Sequence, residues 1–542
     1  MSGSMRRGTA IPSVIIISID MAWHIEKETG DIIIDGWEKG ISSSPYGGMG
    51  LMDAVDLSVP GEVAVGFTVT SSTISGATMT SPIARSTRWF GYGTPAIPAY
   101  SLRSFAILDD SGQVFESTSL TGTWTFLSSG NTKTGASAKD GLAYWMGYLW
   151  KFQDNTIYFW NNSTWATFTG SATITGSVKH YAYVASDNIL YFTNGNYVGS
   201  LAAKSPLTSF DPTSSSTYTL TAQKLQLPVE DVANCLCEIG YGSSPNTQLL
   251  IGGIKNAIYP WDKTSISFTV PIYISDSFIS MMVAVNQNVL VFTGSNFANY
   301  TGETSSRGRI YITNGSQANL WFKIPDWIFN YQDPRYLWGD AIFHRNHIVF
   351  GFQVYDNEAN LVFTPYVWQI EVQTAQLNTE FSMAQAFHSI SDIPGGGNKN
   401  PTVLISADPL SGEGYNYIVG WTDSSGGGST GIGYSGTAAG KGSCDIKTDL
   451  IPVGTFLSKK TFKNVEYKLR NEMQSGESLS ITPILDNSTT ATALTFSPTA
   501  GNGQLSGVAP INFTGVQWLN FSVSLNGNSG NSGVRLREIR IR

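Results

Sequence analysis

Apolar residues recur along this chain with a period of two, in short runs separated by Gly, Asn, Asp and Ser. Such alternation marks half-buried strands joined by tight turns, and helical periodicity is almost absent. The clearest stretch runs from Ser104 to Phe168. Phe105-Ala106-Ile107-Leu108 reads as a strand, Asp109-Asp110-Ser111-Gly112 as a turn, and Gln113-Val114-Phe115-Glu116 as the return, with Gly122-Thr123-Trp124-Thr125-Phe126 beyond. A second unit repeats this grammar through Leu149–Phe152, Thr156–Trp160 and Thr164–Phe168, and a third through Tyr181–Val184 and Ile189–Phe192.

Looser copies centre on Leu249–Gly253, Val289–Phe292, His347–Phe350 and Thr402–Ile405. Their spacing, about 40–60 residues, is that of propeller blades built from three or four antiparallel strands. One such meander cannot cover both its faces, whereas packing blade against blade around a ring buries both and protects the edges. The expected fold is therefore all-β: a β-propeller of about seven blades followed by a C-terminal β-sandwich. Two stacked sandwiches are the competing arrangement.

Gly, Ser, Thr and Ala dominate residues 423–443, which read as a loop without a core of its own. Beyond it, Lys459–Leu469, Leu479–Leu485, Val516–Val523 and the last residues read as strands. The expected division is an N-terminal strand or arm over 1–34 and a propeller over 35–422. A loop with a return strand follows over 423–454, then a sandwich over 455–542. In the last strand Val534 and Leu536 share one parity and Ile539 and Ile541 the other. A bulge near Glu538 restores a single apolar face and turns the arginines of this strand toward solvent or an acidic partner.

Composition narrows the function. Charged residues are only 13% of the 542, with a net charge of -8, which argues against gripping nucleic acid by its phosphates. No arginine occurs between Arg103 and Arg307, while Arg535, Arg537, Arg540 and Arg542 crowd the end of the chain. Cys235, Cys237 and Cys444 are too few for a disulfide framework and lack the second pair of a zinc site, so buried thiols are expected. The run Val14–Ile19 is too short to span a bilayer and is followed by no small-residue cleavage site, so it reads as a strand.

Candidate chemistry is sparse. His344 and His347 are three apart, which on one continuous strand sends the rings to opposite faces and disfavours a metal site. Residues 435–443 evoke a phosphate-binding loop but have Ser435 where the first Gly is required and Gly442 where Ser or Thr follows the lysine. Fragments of a sialidase Asp-box occur around Asp109–Gly112 and Gly122–Trp124, out of spacing, and paired acids for glycoside hydrolysis cannot be picked from pattern alone. Trp145, Trp150, Trp160 and Trp165 stand at strand spacing and are read as inter-blade packing before any sugar platform. No catalytic residue, cofactor or metal ligand is assigned.

Residues Asp35–Gly61 read DGWEKGISSSPYGGMGLMDAVDLSVPG. With Trp37, Gly40, Ile41, Ser44, Pro45, Tyr46, Gly48, Met52, Asp56, Pro60 and Gly61 at the matching positions, this segment resembles the opening of a family of tailed-phage structural proteins. Lys459–Phe462 and Arg537–Arg542 are similar to the borders of that family's terminal domain. The resemblance covers both ends directly and the middle only through repeat architecture. It implies a non-enzymatic virion protein of the tail or head–tail connector, assembled in the bacterial cytoplasm. It further implies a homo-oligomeric ring, typically a hexamer, that acts as nozzle or hub and contacts an adaptor and a fibre or spike. DNA would pass it without sequence recognition, and no membrane span is implied. Ser44, Pro45 and Tyr46, with Arg535, Arg537, Arg540 and Arg542, are the candidate assembly contacts. A glycan-binding receptor protein or a propeller glycosidase is the alternative.

Overall fold

The computed structural model describes the chain from Trp23 to Arg542 apart from residues 38–48, 90–103, 128–140, 295–307, 325–334, 372–384, 407–416, 424–429 and shorter stretches. The expected strand at Val14–Ile19, the loop at Ser44–Tyr46 and most of 435–443 lie outside the described residues. What is described is all-β, in nine largely antiparallel sheets.

Seven of these sheets follow one another along the chain, and they are numbered here in that order. Sheet 1 holds Ile83–Trp89, Ser104–Asp109, Val114–Ser117 and Trp124–Phe126, with Ile74–Ser75 added in parallel. Sheet 2 runs from Gly141 to Thr167, sheet 3 from Ala182 to Gln226, sheet 4 from Ala233 to Tyr273 and sheet 5 from Ile279 to Lys323, each with four strands in sequence order. Sheet 6 spans Arg335 to Asp392. Sheet 7 joins Lys399–Ser406, Tyr417–Asp423 and Thr430–Ser435 to Val69–Ser71, a strand from the other end of the chain. The Gly/Ser-rich segment thus contributes a strand to sheet 7, contrary to its reading as loop, because Gly431 and Gly433 accommodate Trp421 and Val69 that a Cβ would strike.

The first strand of each sheet lies beside the first strand of the next, and Lys399–Ser406 of sheet 7 lies beside Ile83–Trp89 of sheet 1. Side chains bridge the seams. The Trp165 indole donates to Leu127 O at 3.3 Å, Trp145 to Asn188 O at 2.8 Å and Trp338 to Thr293 O at 2.8 Å. His180 lies between Thr193 O and Asp154 O, at 3.0 and 2.7 Å. Trp145, Trp150, Trp160 and Trp165 are all buried, as packing between sheets requires.

The remaining two sheets have seven strands each and are made by both chain ends. One contains Trp23–Ile25, Ile32–Ile34, Arg535–Ile541, Lys460–Leu469 and Ser506–Val516, the other Met49–Asp53, Ser443–Thr448, Trp518–Asn526 and Ser478–Leu485. Residues 23–65 therefore belong with the C-terminal strands, and the expected boundaries at 34 and 35 do not mark a structural division. Alternation explains the pairing: Ile32, Ile34, Ile539 and Ile541 are fully buried and stand opposite one another in register. The expected bulge is present, since Lys468 pairs with Glu538 but Leu469 with Leu536. Val534, Leu536, Ile539 and Ile541 all reach the core as a result. The expected strand at Val516–Val523 is instead two strands in different sheets, turned at Gln517, where Asp486 Oδ1 accepts the N–H groups of Gln517 and Trp518. A continuous apolar core links these sheets to sheets 5 and 6 through residues such as Trp338, Phe350, Met52 and Val465.

Candidate functional site

A recurring irregularity organises the centre of the molecule. Five of the seven first strands carry a β-bulge at equivalent places, leaving Ala84, Asn234, Ser280, Gly339-Asp340 and Thr402 as the extra residues. Bulges re-aim side chains, and here Asn234 and Asp340 turn polar groups toward the neighbouring sheet, while Ser280 bonds within its own. Asn234 Nδ2 donates to Ile279 O at 2.6 Å, and Ser280 Oγ donates to Phe292 O at 3.0 Å. Asp340 accepts N–H groups from Ala341 at 2.8 Å and from Leu404, in sheet 7, at 3.2 Å. Beside the first bulge, Ser86 Oγ reaches Leu404 O at 3.3 Å.

Residues in or beside the first strands of every sheet but the fourth line a cavity of about 110 Å³, among them Arg85, Ser86, Tyr181, Ser280, Asp340 and Thr402. The Arg85 guanidinium lies 5.5 Å from the Tyr181 ring centroid. Burial pushes the Asp340 carboxyl up to about 6, an effect only partly offset by its two backbone donors and by Arg85. Burial also raises the Tyr181 hydroxyl, helped by the nearby Cys235, so it stays a neutral O–H. Thr402 is 3% exposed, and its Oγ1 has no hydrogen-bond partner.

The candidates drawn from sequence fall elsewhere. Arg537 pairs with Glu62 at 3.1 Å, Arg540 with Glu538 at 3.0 Å and Glu26 at 3.3 Å, and Arg542 with Asp31 at 3.1 Å and Glu466 at 3.2 Å. Arg535 sits on the same strand, paired in register with Ala64. The acids that meet Arg537, Arg540 and Arg542 belong to this chain, and Arg537 and Arg542 remain about half exposed to solvent, the expectation having been solvent or an acidic partner. The three cysteines are buried and none forms a disulfide among the described residues. His344 and His347 are cross-strand partners on two adjacent strands, so the parity argument for a continuous strand does not apply. Among the described residues no group of His, Cys, Asp or Glu gathers as a metal site, and no helix is long and apolar enough to cross a membrane.

A second surface went unnoticed in the sequence. The turn after Trp261 is fixed by Asp262 Oδ1, which accepts from the N–H of Thr264 at 2.9 Å and of Ser265 at 2.7 Å. Yet Ile266 is 94% exposed, Val270 83% and Tyr273 68%.

No protein-family model matches the chain, and no curated protein matches it. Solved structures similar to it include the Cps50 (Swd1) β-propeller domain of Myceliophteria thermophila, at 11% identity and TM-score 0.39, covering 68% of this chain and 99% of that one. The RRP9 WD40 repeats match at 10% identity and TM-score 0.42, covering 68% and 99%. An exo-β-1,3-galactanase of Phanerochaete chrysosporium matches at 12% identity and TM-score 0.28, covering 88% and 100%. Likeness at this level transfers no activity.

Proposed function

We propose that this chain is a non-catalytic assembly subunit, a seven-bladed β-propeller closed by Val69–Ser71 and locked by a two-sheet sandwich made from both chain ends. The observation that carries this reading is the joint use of the ends: strands at 23–65 pair with strands at 443–541, so the propeller lies between two anchored termini. Together with the resemblance of Asp35–Gly61 to tailed-phage structural proteins, it favours a tail nozzle, hub or connector component.

The cavity's size supports one refinement. At about 110 Å³ it holds a few waters or one small molecule. A duplex whose major groove alone is about 12 Å wide cannot thread it. A DNA channel would therefore run between copies arranged in a ring, with a hexamer the expected number. The rigid, apolar-tipped loop bearing Ile266 and Val270 supports a contact with a neighbouring subunit. Asp340 is the one carboxylate among the described lining residues, whereas two-acid glycoside hydrolysis uses a pair about 5–10 Å apart, so the glycosidase reading has less support.

Native mass spectrometry and electron microscopy of the purified chain, alone and with candidate tail partners, test this. Closed rings with an opening between copies are expected. A strict monomer that joins no tail protein but binds glycans would overturn the assembly reading.

A further inference from the structure

We propose that the central cavity is a binding site for a small monoanion of the carboxylate class, held by Arg85 with Thr402 and Asp340 as its hydroxyl and carboxyl partners. The inference is independent of the assembly reading and rests on the bulge residues.

Asn234, Ser280 and Asp340 each spend their polar atoms on backbone groups. Thr402 occupies the equivalent bulge in sheet 7, is 3% exposed and is one of the residues lining the cavity, and its Oγ1 has no hydrogen-bond partner. A buried hydroxyl left in this state costs free energy, so its persistence points to an occupant. The cavity is polar enough to hold water as well, but its donor set is specific. A guanidinium offers paired N–H groups matched to a planar carboxylate, and Thr402 adds an O–H.

The charges facing the site come from few places. Arg85 approaches from sheet 1 and Asp340 from sheet 6, while the Tyr181 hydroxyl from sheet 3 stays neutral, with Cys235 and Cys237 of sheet 4 behind it. The lining residues of sheets 2, 5 and 7 carry no ionisable group. Protonation of Asp340 removes a negative charge and creates an O–H that can donate to the anion. Binding is therefore coupled to uptake of one proton, and affinity falls as pH rises past about 6.

Formate is the probe, because it is planar, small and ionised throughout the range. Titration of the full chain by calorimetry and by formate NMR line broadening at pH 5 and pH 8 should show one saturable site. Affinity should be about tenfold or more weaker at pH 8. Asp340→Asn should remove the pH dependence, and Arg85→Gln should weaken binding about tenfold or more at both values. Thr402→Val, nearly isosteric, should weaken it several-fold without lowering the melting temperature of the formate-free chain. If Arg85→Gln does not fold, Thr402→Val and Asp340→Asn decide the matter. Absence of a saturable site in folded wild type at pH 5, or formate affinity unchanged in Thr402→Val, would overturn the proposal.

Discussion

The indole Nε1 of Trp37 donates a hydrogen bond of 2.7 Å to the carbonyl oxygen of Arg537, joining positions 500 residues apart. Trp37 is fully buried, and its acceptor is the residue left over at the bulge of the final strand. The Trp of the opening motif therefore acts as a latch on the last strand. Trp37→Phe keeps most of the ring and removes the donor. A loss of about 1–2 kcal/mol is expected, and Trp37→Ala should cost about 3–5 kcal/mol through the cavity it leaves. Denaturant unfolding followed by fluorescence checks both.

Assembly should depend on the loop after Trp261. Ile266 and Val270 are almost fully exposed, so Ile266→Asp with Val270→Asp should leave the melting temperature of the single chain within a few tenths of a kcal/mol equivalent. The same pair should abolish rings seen by native mass spectrometry. Rings that persist in the double variant would place the contact elsewhere.

Within sheet 4, Glu238 forms a buried ion pair with Lys263, and hydrogen bonds from Ser186 tie that pair to sheet 3. Lys263 Nζ lies 2.5 Å from Glu238 Oε1 and donates to Thr247 Oγ1 at 2.6 Å, while Ser186 donates to Glu238 through N–H and hydroxyl. Desolvation pushes the Glu238 carboxyl up, but these hydrogen bonds outweigh it and hold it below the usual range. Its stabilising contribution is thus complete above about pH 4.5 and is lost as pH falls through the lowered value. Lys263→Met should cost about 3 kcal/mol at pH 7. Glu238→Gln should flatten the acid limb of a stability–pH curve.

Asp340 acts with the opposite sign. Its folded value of about 6 exceeds the unfolded 3.8, so its contribution is full below pH 3.8 and lost as pH rises through about 6. The change is on the order of 3 kcal/mol. Stability measured from pH 4 to pH 8 should show this decline in wild type and lose it in Asp340→Asn.

Gly339 is a steric requirement. A Cβ there would lie 2.3 Å from the Pro401 carbonyl oxygen, which is backbone and cannot yield cheaply. Gly339→Ala should destabilise by about 1–3 kcal/mol, checked by thermal melting. Formate binding should weaken with it, because the shift separates the strands that carry Asp340 and Thr402.

Much of the strand pattern was legible. The turn at Asn194–Asn196 and the runs Leu149–Phe152 and Val289–Phe292 lie in or beside strands where alternation placed them. Parity in the last strand foretold its bulge, because Val534, Leu536, Ile539 and Ile541 could share a core no other way. Long-range partners were not legible. Nothing in Ile32–Ile34 names Ile539–Ile541 as its mate, and nothing in Val69–Ser71 names sheet 7, since apolar strands are interchangeable until they are packed. The cavity did leave a trace. A lone polar residue precedes the apolar run at Asn234-Cys235-Leu236, Ser280-Met281-Met282, Asp340-Ala341-Ile342 and Thr402-Val403-Leu404, and alignment of the repeats on their first strands exposes it. The repeat centres at Leu249–Gly253, Val289–Phe292 and His347–Phe350 are second strands, whereas Thr402–Ile405 is a first strand, and that mixed register hides the polar position.

The pairing of Ile32–Ile34 with Ile539–Ile541 has a temporal side. On a ribosome adding about 5–20 residues per second, the first strands wait roughly 25–100 s for the last one to emerge. Throughout that interval a triple isoleucine stands without its mate, as does the strand destined for sheet 7. Vectorial folding can complete the inner sheets one after another, but the final closure is a single late event. Chaperone demand and susceptibility to truncation should therefore concentrate just before Ile539–Ile541 is made, where a stalled chain already carries the inner sheets and is still open.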